Sequence, residues 1–308
     1  MTNGKSKNKN EVRVRKARTP ALNNELTAHD AMRAVMLECL LHLQSNVIGV
    51  MESAREEPVH QARVALRRIR SAQKAFAKIA PEQESKSING DILWLAKLLG
   101  DVRDIDVFLI KTLPTFEADI AGSEPANFSR LKQSAEQRRE VSRQKLRDAL
   151  ISPRFTNLQL QIVKSLARNE AVNSKSEQLI DFTRRSLRKR WRRVVELIAL
   201  WDSLDRRQRH TLRKRAKKLR YAVEFFSSLY KTKSVKKFTL KLEQVQQDLG
   251  NLNDAVTTQA LMKSFADDDV PVAQQSGIVI GWISKNANEA ERDVEKSIVK
   301  LCDAKKFW

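Results

Sequence analysis

The chain of 308 residues carries 58 Lys and Arg against 37 Asp and Glu, a net charge of +21 and a pI near 10.2, which favours a polyanionic partner over a small neutral substrate. Only eight glycines and seven prolines interrupt it, and strand-like alternation is scarce, so an all-α fold of long helices is expected. No run approaches the roughly 20 apolar residues of a membrane span, the longest being VVELIALW from Val194 and IVIGWI from Ile278, which argues against an integral membrane protein.

Residues 1–20 hold seven basic side chains against Glu11 and are too polar to offset the entropy of ordering, so they are expected to form a disordered cationic arm. They lack the apolar core of a secretory signal. Helical periodicity then runs from Asn24 to about Ser53 through Leu26, Met32, Val35, Met36, Leu40, Leu43 and Val47. A second helix is expected from Val59 to about Ala80, with Pro58 at its start and Pro81 stopping it. A third spans about Ile88 to Leu113 and a fourth Asn127 to Leu150, followed by SPRF at Ser152 to Phe155. The polar stretch 169–176 reads as a linker. Beyond it the plan repeats in 177–308: a helix ending near Trp201, then Asp205 to Tyr230, Val235 to Phe265 and Gln274 to about Lys305. Four helices on each side of the linker predict a four-helix bundle in 21–168 and another in 177–308. Cys39 and Cys302 fall on apolar-periodic stretches without metal or redox spacing and read as buried free thiols of a reducing compartment, the cytoplasm.

One recurrence organises the chain. HQARVALRRIR from His60 to Arg70 returns 150 residues later as HTLRKRAKKLR from His210 to Arg220. LLGDVRDIDV around Gly100 and DLGNLNDAVT around Gly250 obey the same offset, with Asp104 falling on Asp254. Two motifs in register at one spacing imply a duplicated unit.

At ~100° per residue, His60, Arg63, Arg67, Arg70 and Lys74 share one arc of their helix, beside an apolar arc of Val59, Ala62, Leu66, Ile69 and Phe76. In the second copy His210, Arg213, Lys217 and Arg220 form the cationic arc, with Lys218 next to it. Lys74 maps onto Glu224, so the second stripe is one charge shorter. Like charges at i,i+4 destabilise a helix by a few tenths of a kcal/mol each. Either internal carboxylates or a bound polyanion must offset this. Asp104, Asp106 and Asp254 are the candidates for internal pairing, and Arg68 and Arg103 are expected to be structural. The acids are too few for all the cations: Arg184 to Arg193 holds seven basic residues in ten with no acid, and Arg206 to Arg220 nine in fifteen. Arginine forks suit phosphate oxygens, and one donor per helical turn suits a linear phosphate polymer.

At HQARVALRRIRSAQKAF, LLGDVRDIDVFL, SPRF, HTLRKRAKKLRYAVEFF and DLGNLNDAV the sequence resembles the CHAD family, the conserved-histidine α-helical domain. The resemblance covers nearly everything after the arm. It implies two four-helix bundles related by pseudo-two-fold symmetry around a basic central cavity that binds inorganic polyphosphate, in an accessory protein of cytoplasmic polyphosphate granules. Carried over, it makes His60, Arg63, Arg67 and Arg70, with His210, Arg213, Lys217, Lys218 and Arg220, the ligand-facing residues. Lys74 continues the first stripe. Arg184, Arg188 and Arg192 share one face of the fifth helix and extend the surface. The corresponding first-half helix offers only Arg33 and His42, so the second repeat is expected to carry more of the anion binding.

Other readings stay open. His60 and His210 as metal ligands are disfavoured because each stands alone on its helix, and a structural hydrogen bond competes with phosphate contact. A histidine that touches phosphate makes binding stronger in acid. No nucleophile, base or metal cluster points to an enzyme, and no cofactor is implied. Nucleic acid suits the charge, but aromatic residues are only 6% and no recognition motif is present. A scaffold for acidic partners, including granule proteins, is the third class.

Overall fold

The computed structural model describes residues 14–79, 82–120, 128–167, 178–265 and 270–308, with side chains for all of these but 82–87 and 287–289. Every regular element among them is helical: α1 (Ala28–Glu52), α2 (Glu56–Ala75), α3 (Glu82–Val107), α4 (Leu113–Asp119), α5 (Ser129–Leu150), α6 (Pro153–Ala167), α7 (Leu179–Ile198), α8 (Arg206–Phe226), α9 (Thr232–Phe265) and α10 (Val270–Cys302). The fold is all-α. The expected linker at 169–176 lies outside the described residues, as does Pro81.

Local chemistry sets the helix ends. Thr27 caps α1 by accepting from Asp30 N at 3.1 Å, and Asp205 with Gln208 forms a reciprocal capping box at α8. Pro58 stands in the first turn of α2, where its missing N–H costs nothing. α2 ends at Ala75, earlier than the expected Ala80. α3 passes through a single π turn, Phe108–Thr112, into α4. Pro114, near the start of α4, cannot donate to the preceding turn and would crowd its carbonyl, and the widened turn accommodates it.

Three expectations are corrected. SPRF opens a further helix: Ser152 Oγ accepts from Phe155 N at 3.4 Å and Pro153 takes the first helical position, so the described first half is not four helices. Residues 14–20 of the arm are tied to the helices, although 16–19 stay exposed. Arg15 pairs with Glu38 at 2.9 Å, its carbonyl accepts from Asn46 Nδ2 at 2.8 Å, and the Arg18 carbonyl accepts from Arg68 Nη2 at 2.8 Å. Leu22 N then donates to Ser228 Oγ at 3.0 Å, which ties the segment to the end of α8. Cys302 is exposed at the last turn of α10. Cys39 is buried, and burial lifts its thiol to about 11.

The core does not divide at the middle of the chain. The larger apolar cluster joins Leu66 and Ile69 of α2 and Phe76 beyond it to Phe182 of α7 and Phe226 of α8. Phe76 stacks on Phe182 with ring centroids 5.5 Å apart and meets Phe226 edge-on at 5.7 Å. The second cluster joins Ile105, Phe108, Phe116, Phe128 and Leu131 to Phe265, Val272, Val279 and Ile283. Each cluster draws on both halves. Helices at corresponding places touch one another: α2 packs on α8, α3 on α9, α5 on α10 and α1 on α7.

α1 is, among the described residues, the one helix long and apolar enough to cross a membrane, with mean hydropathy 1.4, against the expectation that no stretch reaches that length. Here half of its most apolar window is buried, and it packs on α2 and α6 as a core helix.

Candidate anion site at the crossing of α2 and α8

The apolar arcs of α2 and α8 are buried as the helical projection requires: Val59, Ala62, Leu66 and Ile69 on one, Leu212, Ala216, Leu219 and Val223 on the other. The cationic arcs therefore sit at the rim, where the two helices meet. The duplicated motifs make one duplicated contact. Arg63 Nη1 donates to Asp104 Oδ1 at 3.1 Å and to the Gly100 carbonyl at 3.3 Å, and Arg213 Nη2 reaches Asp254 Oδ1 at 3.5 Å. Gly100 eases this approach, since a Cβ there would lie 3.3 Å from Arg63 Nη1 and the guanidinium would have to shift slightly. Gly250 has nothing within 4 Å of the equivalent position.

Asp104 and Asp254 thus pair with the motif arginines, whereas Asp106 does not. Fully buried, it accepts from Arg139 Nε at 2.6 Å and lies 3.5 Å from Arg143 on α5. Arg68 is structural, as expected. Its side chain is 3% exposed and donates to Glu224 Oε2 at 2.8 Å, with the Phe225 ring 5.1 Å away. Arg220 joins the same carboxylate, donates from Nε to Gln246 Oε1 at 2.8 Å and lies over Tyr221. It is tied down internally and is not an open ligand group.

Arg67 and Lys217 are different. Neither side chain has a hydrogen-bond or ion-pair partner among the described residues, and both sit in the field of Arg63 and Arg213. Burial first, then Arg67 and Arg213, pull the Lys217 ammonium from 10.5 down to about 7. Because Lys217 in the unfolded chain holds its proton through the window between about 7 and 10.5, the penalty of its buried charge is full below 7 and fades as pH rises. Lys217→Met should therefore be more stable than the parent at pH 7, with the difference shrinking toward pH 10. Urea melts across that range measure it, and a constant difference would contradict the assignment.

The histidines stand at the outer ends. His60 is half-buried without a hydrogen-bond partner among the described residues. Burial and then Arg103 push its proton affinity down. His210 Nδ1 lies 2.9 Å from Asn253 Oδ1. Its affinity is lowered by burial and by Lys214, Arg213 and Lys217, against the Asn253 hydrogen bond. Among the described residues no three His, Cys, Asp or Glu side chains group to hold a metal ion.

Further along, Arg70, Lys74 and Lys218 form a second cationic group in which burial and mutual repulsion lower both lysines. The face of α7 that reaches it was not the one expected. Arg190 donates to the Lys74 carbonyl at 2.9 Å and to Ser186, and burial lowers its guanidinium to about 10. Arg193 is among the charges acting on Lys218. Arg184 instead pairs with Asp181 at 3.3 Å, and Arg192, 76% exposed, approaches Glu196 at 3.6 Å. Arg188 is exposed and, with Arg184, faces Tyr230. The usable signal was adjacency to buried Ser186 and Leu187 rather than charge density.

A cavity of about 550 Å³ lies between α3, α5 and α9 and touches the site only through Asp104. Its lining mixes Asp101, Arg138 and Lys145 with Leu98, Ile105 and Leu261, so it is not a basic pore.

Known proteins share this fold. The family described as the CHAD domain matches residues 34–263. No curated protein matches the chain. The crystal structure of the CHAD domain from the plant Ricinus communis is similar with a TM-score of 0.82 and 27% identity, over 95% of this chain and 98% of that one. PptA from Streptomyces chartreusis shares the fold at a TM-score of 0.69 and 13% identity, over 89% of this chain and all of its own. With the family match extending over most of its length, the chain belongs to the CHAD family.

Proposed function

We propose that this protein binds inorganic polyphosphate through the cations at the crossing of α2 and α8, as a binding protein of cytoplasmic polyphosphate granules rather than an enzyme. The observation that carries the reading is Arg67 with Lys217: two cations from different helices, close enough to depress the lysine, without a carboxylate partner of their own. An anion that replaced the lost hydration of both would offset a cost the fold otherwise bears. Arg63 and Arg213, held by Asp104 and Asp254, flank that pair with their forks already oriented. Contacts of α1 with α7, α2 with α8, α3 with α9 and α5 with α10 support the view that the halves are duplicated bundles about a pseudo-two-fold axis near the site.

Filter-binding competition at several salt concentrations tests this. Long-chain polyphosphate should displace duplex DNA and RNA at much lower phosphate concentration, with affinity falling steeply as salt rises. The reverse ranking would establish the nucleic-acid reading that the net charge of +21 also suits.

A further inference from the structure

The 150-residue offset pairs Arg68 with Lys218, Arg70 with Arg220 and Lys74 with Glu224. At one end of the α2–α8 crossing, Arg68 and Arg220 both bind Glu224, from across the interface and from one turn earlier on α8. That end is a largely buried lock in which one carboxylate is shared by two guanidinium groups. At the other end the same construction has a lysine in place of the carboxylate. Lys218 faces Lys74 and Arg70 where Arg68 faces Glu224 and Arg220, and none of these three side chains has an ion-pair or hydrogen-bond partner among the described residues.

Two hydrogen bonds gather more charge at the open end. Arg190 Nη2 binds the Lys74 carbonyl at 2.9 Å and pins α7 to the last turn of α2. Arg215 Nη1 binds the Arg193 carbonyl at 2.6 Å and pins α7 to α8. Lys214 and Arg193 thereby join Lys218, and the carboxylate nearest these ties, Glu196, is shared by Arg192 and Arg215. Pairs such as Arg70 with Lys74 and Lys214 with Lys218 repel at i,i+4 spacing, so the unliganded cluster works against helix stability.

Resting on the polyphosphate reading above, we propose that a bound chain leaves the crossing at one end only: it runs from Arg67 and Lys217 out over Arg70, Lys74 and Lys218, because Glu224 closes the opposite end. Lys74 lies seven residues beyond Arg67, about 10 Å along α2. A short oligophosphate can therefore stay on the central pair, while a long chain must follow the open end.

Lys74→Glu tests the idea, since it rebuilds at the open end the triplet that exists at the closed one. Isothermal calorimetry should show long-chain polyphosphate binding weakened at least tenfold and tripolyphosphate binding changed less than twofold. The unliganded variant should melt at a higher temperature than the parent. Lys74→Gln removes the charge without building the triplet, and should weaken long-chain binding while raising the melting temperature less than Lys74→Glu does. Long-chain affinity unchanged in both variants, or equal losses for both ligands, would overturn the one-ended path while leaving polyphosphate binding intact. Failure of the parent protein to bind either ligand would sink the functional reading and this path with it.

Discussion

Replacing Arg67 and Lys217 together with Ala should weaken polyphosphate binding by a hundredfold or more and raise the melting temperature of the free protein. The two effects share one cause. Each hydrogen bond to a charged group contributes about 1.5–3 kcal/mol, so two lost contacts amount to at least ~3 kcal/mol, and each 1.4 kcal/mol is tenfold in affinity. In the free protein the same groups are desolvated and repel Arg63 and Arg213, so truncation relieves strain. Calorimetric binding with thermal melts checks both signs. The control is Arg184→Ala with Arg188→Ala and Arg192→Ala, which removes one more charge but from the outer face of α7. Binding there should fall only through lost long-range attraction, an effect that fades with salt. An equal loss in the triple variant would move the site to that outer face.

Glu224→Ala should be the most destabilising single substitution among the motif residues, costing about 3–5 kcal/mol because it leaves a buried charge unpaired. The charge is that of Arg68, 3% exposed, which would keep the Arg18 carbonyl and the Cys39 thiol beside the Phe225 ring but no carboxylate among the described residues. Adding Arg68→Met removes the orphan and should restore most of the stability, since apolar replacement of a whole buried pair is near neutral. Chemical denaturation of the parent, single and double variants measures the recovery. A double variant as unstable as Glu224→Ala would show that the carboxylate acts through Arg220 and Gln246 instead.

The sequence made the helices readable wherever packing follows periodicity. It also made the duplicated arginine–aspartate contact readable, because His60 to Arg70 and Gly100 to Asp104 recur at one offset. What it hid depends on distant partners. Glu224 looked like a missing charge in the second stripe, and only its position against Arg68 makes it a lock. Residues 14–20 looked too polar to order, yet carbonyls of Arg15 and Arg18 satisfy Asn46 and Arg68, a use of backbone that composition does not register. The helix after SPRF was within reach, since Ser152 and Pro153 are an ordinary capping pair. The outer arginines of α7 drew notice by number, whereas Arg190 and Arg193 reach the site by lying next to the buried seam.

The interleaved core has a consequence for how the chain is made. Phe108, Phe116 and Phe128 are completed by Val272, Val279 and Ile283 of α10. Those partners leave the ribosome about 150 residues later, which at roughly 5–20 residues per second is a wait of about 10–30 s. Throughout it the amino-terminal helices hold unburied aromatic surface beside a strongly cationic stripe. The second apolar cluster thus cannot close until nearly the last helix is synthesised.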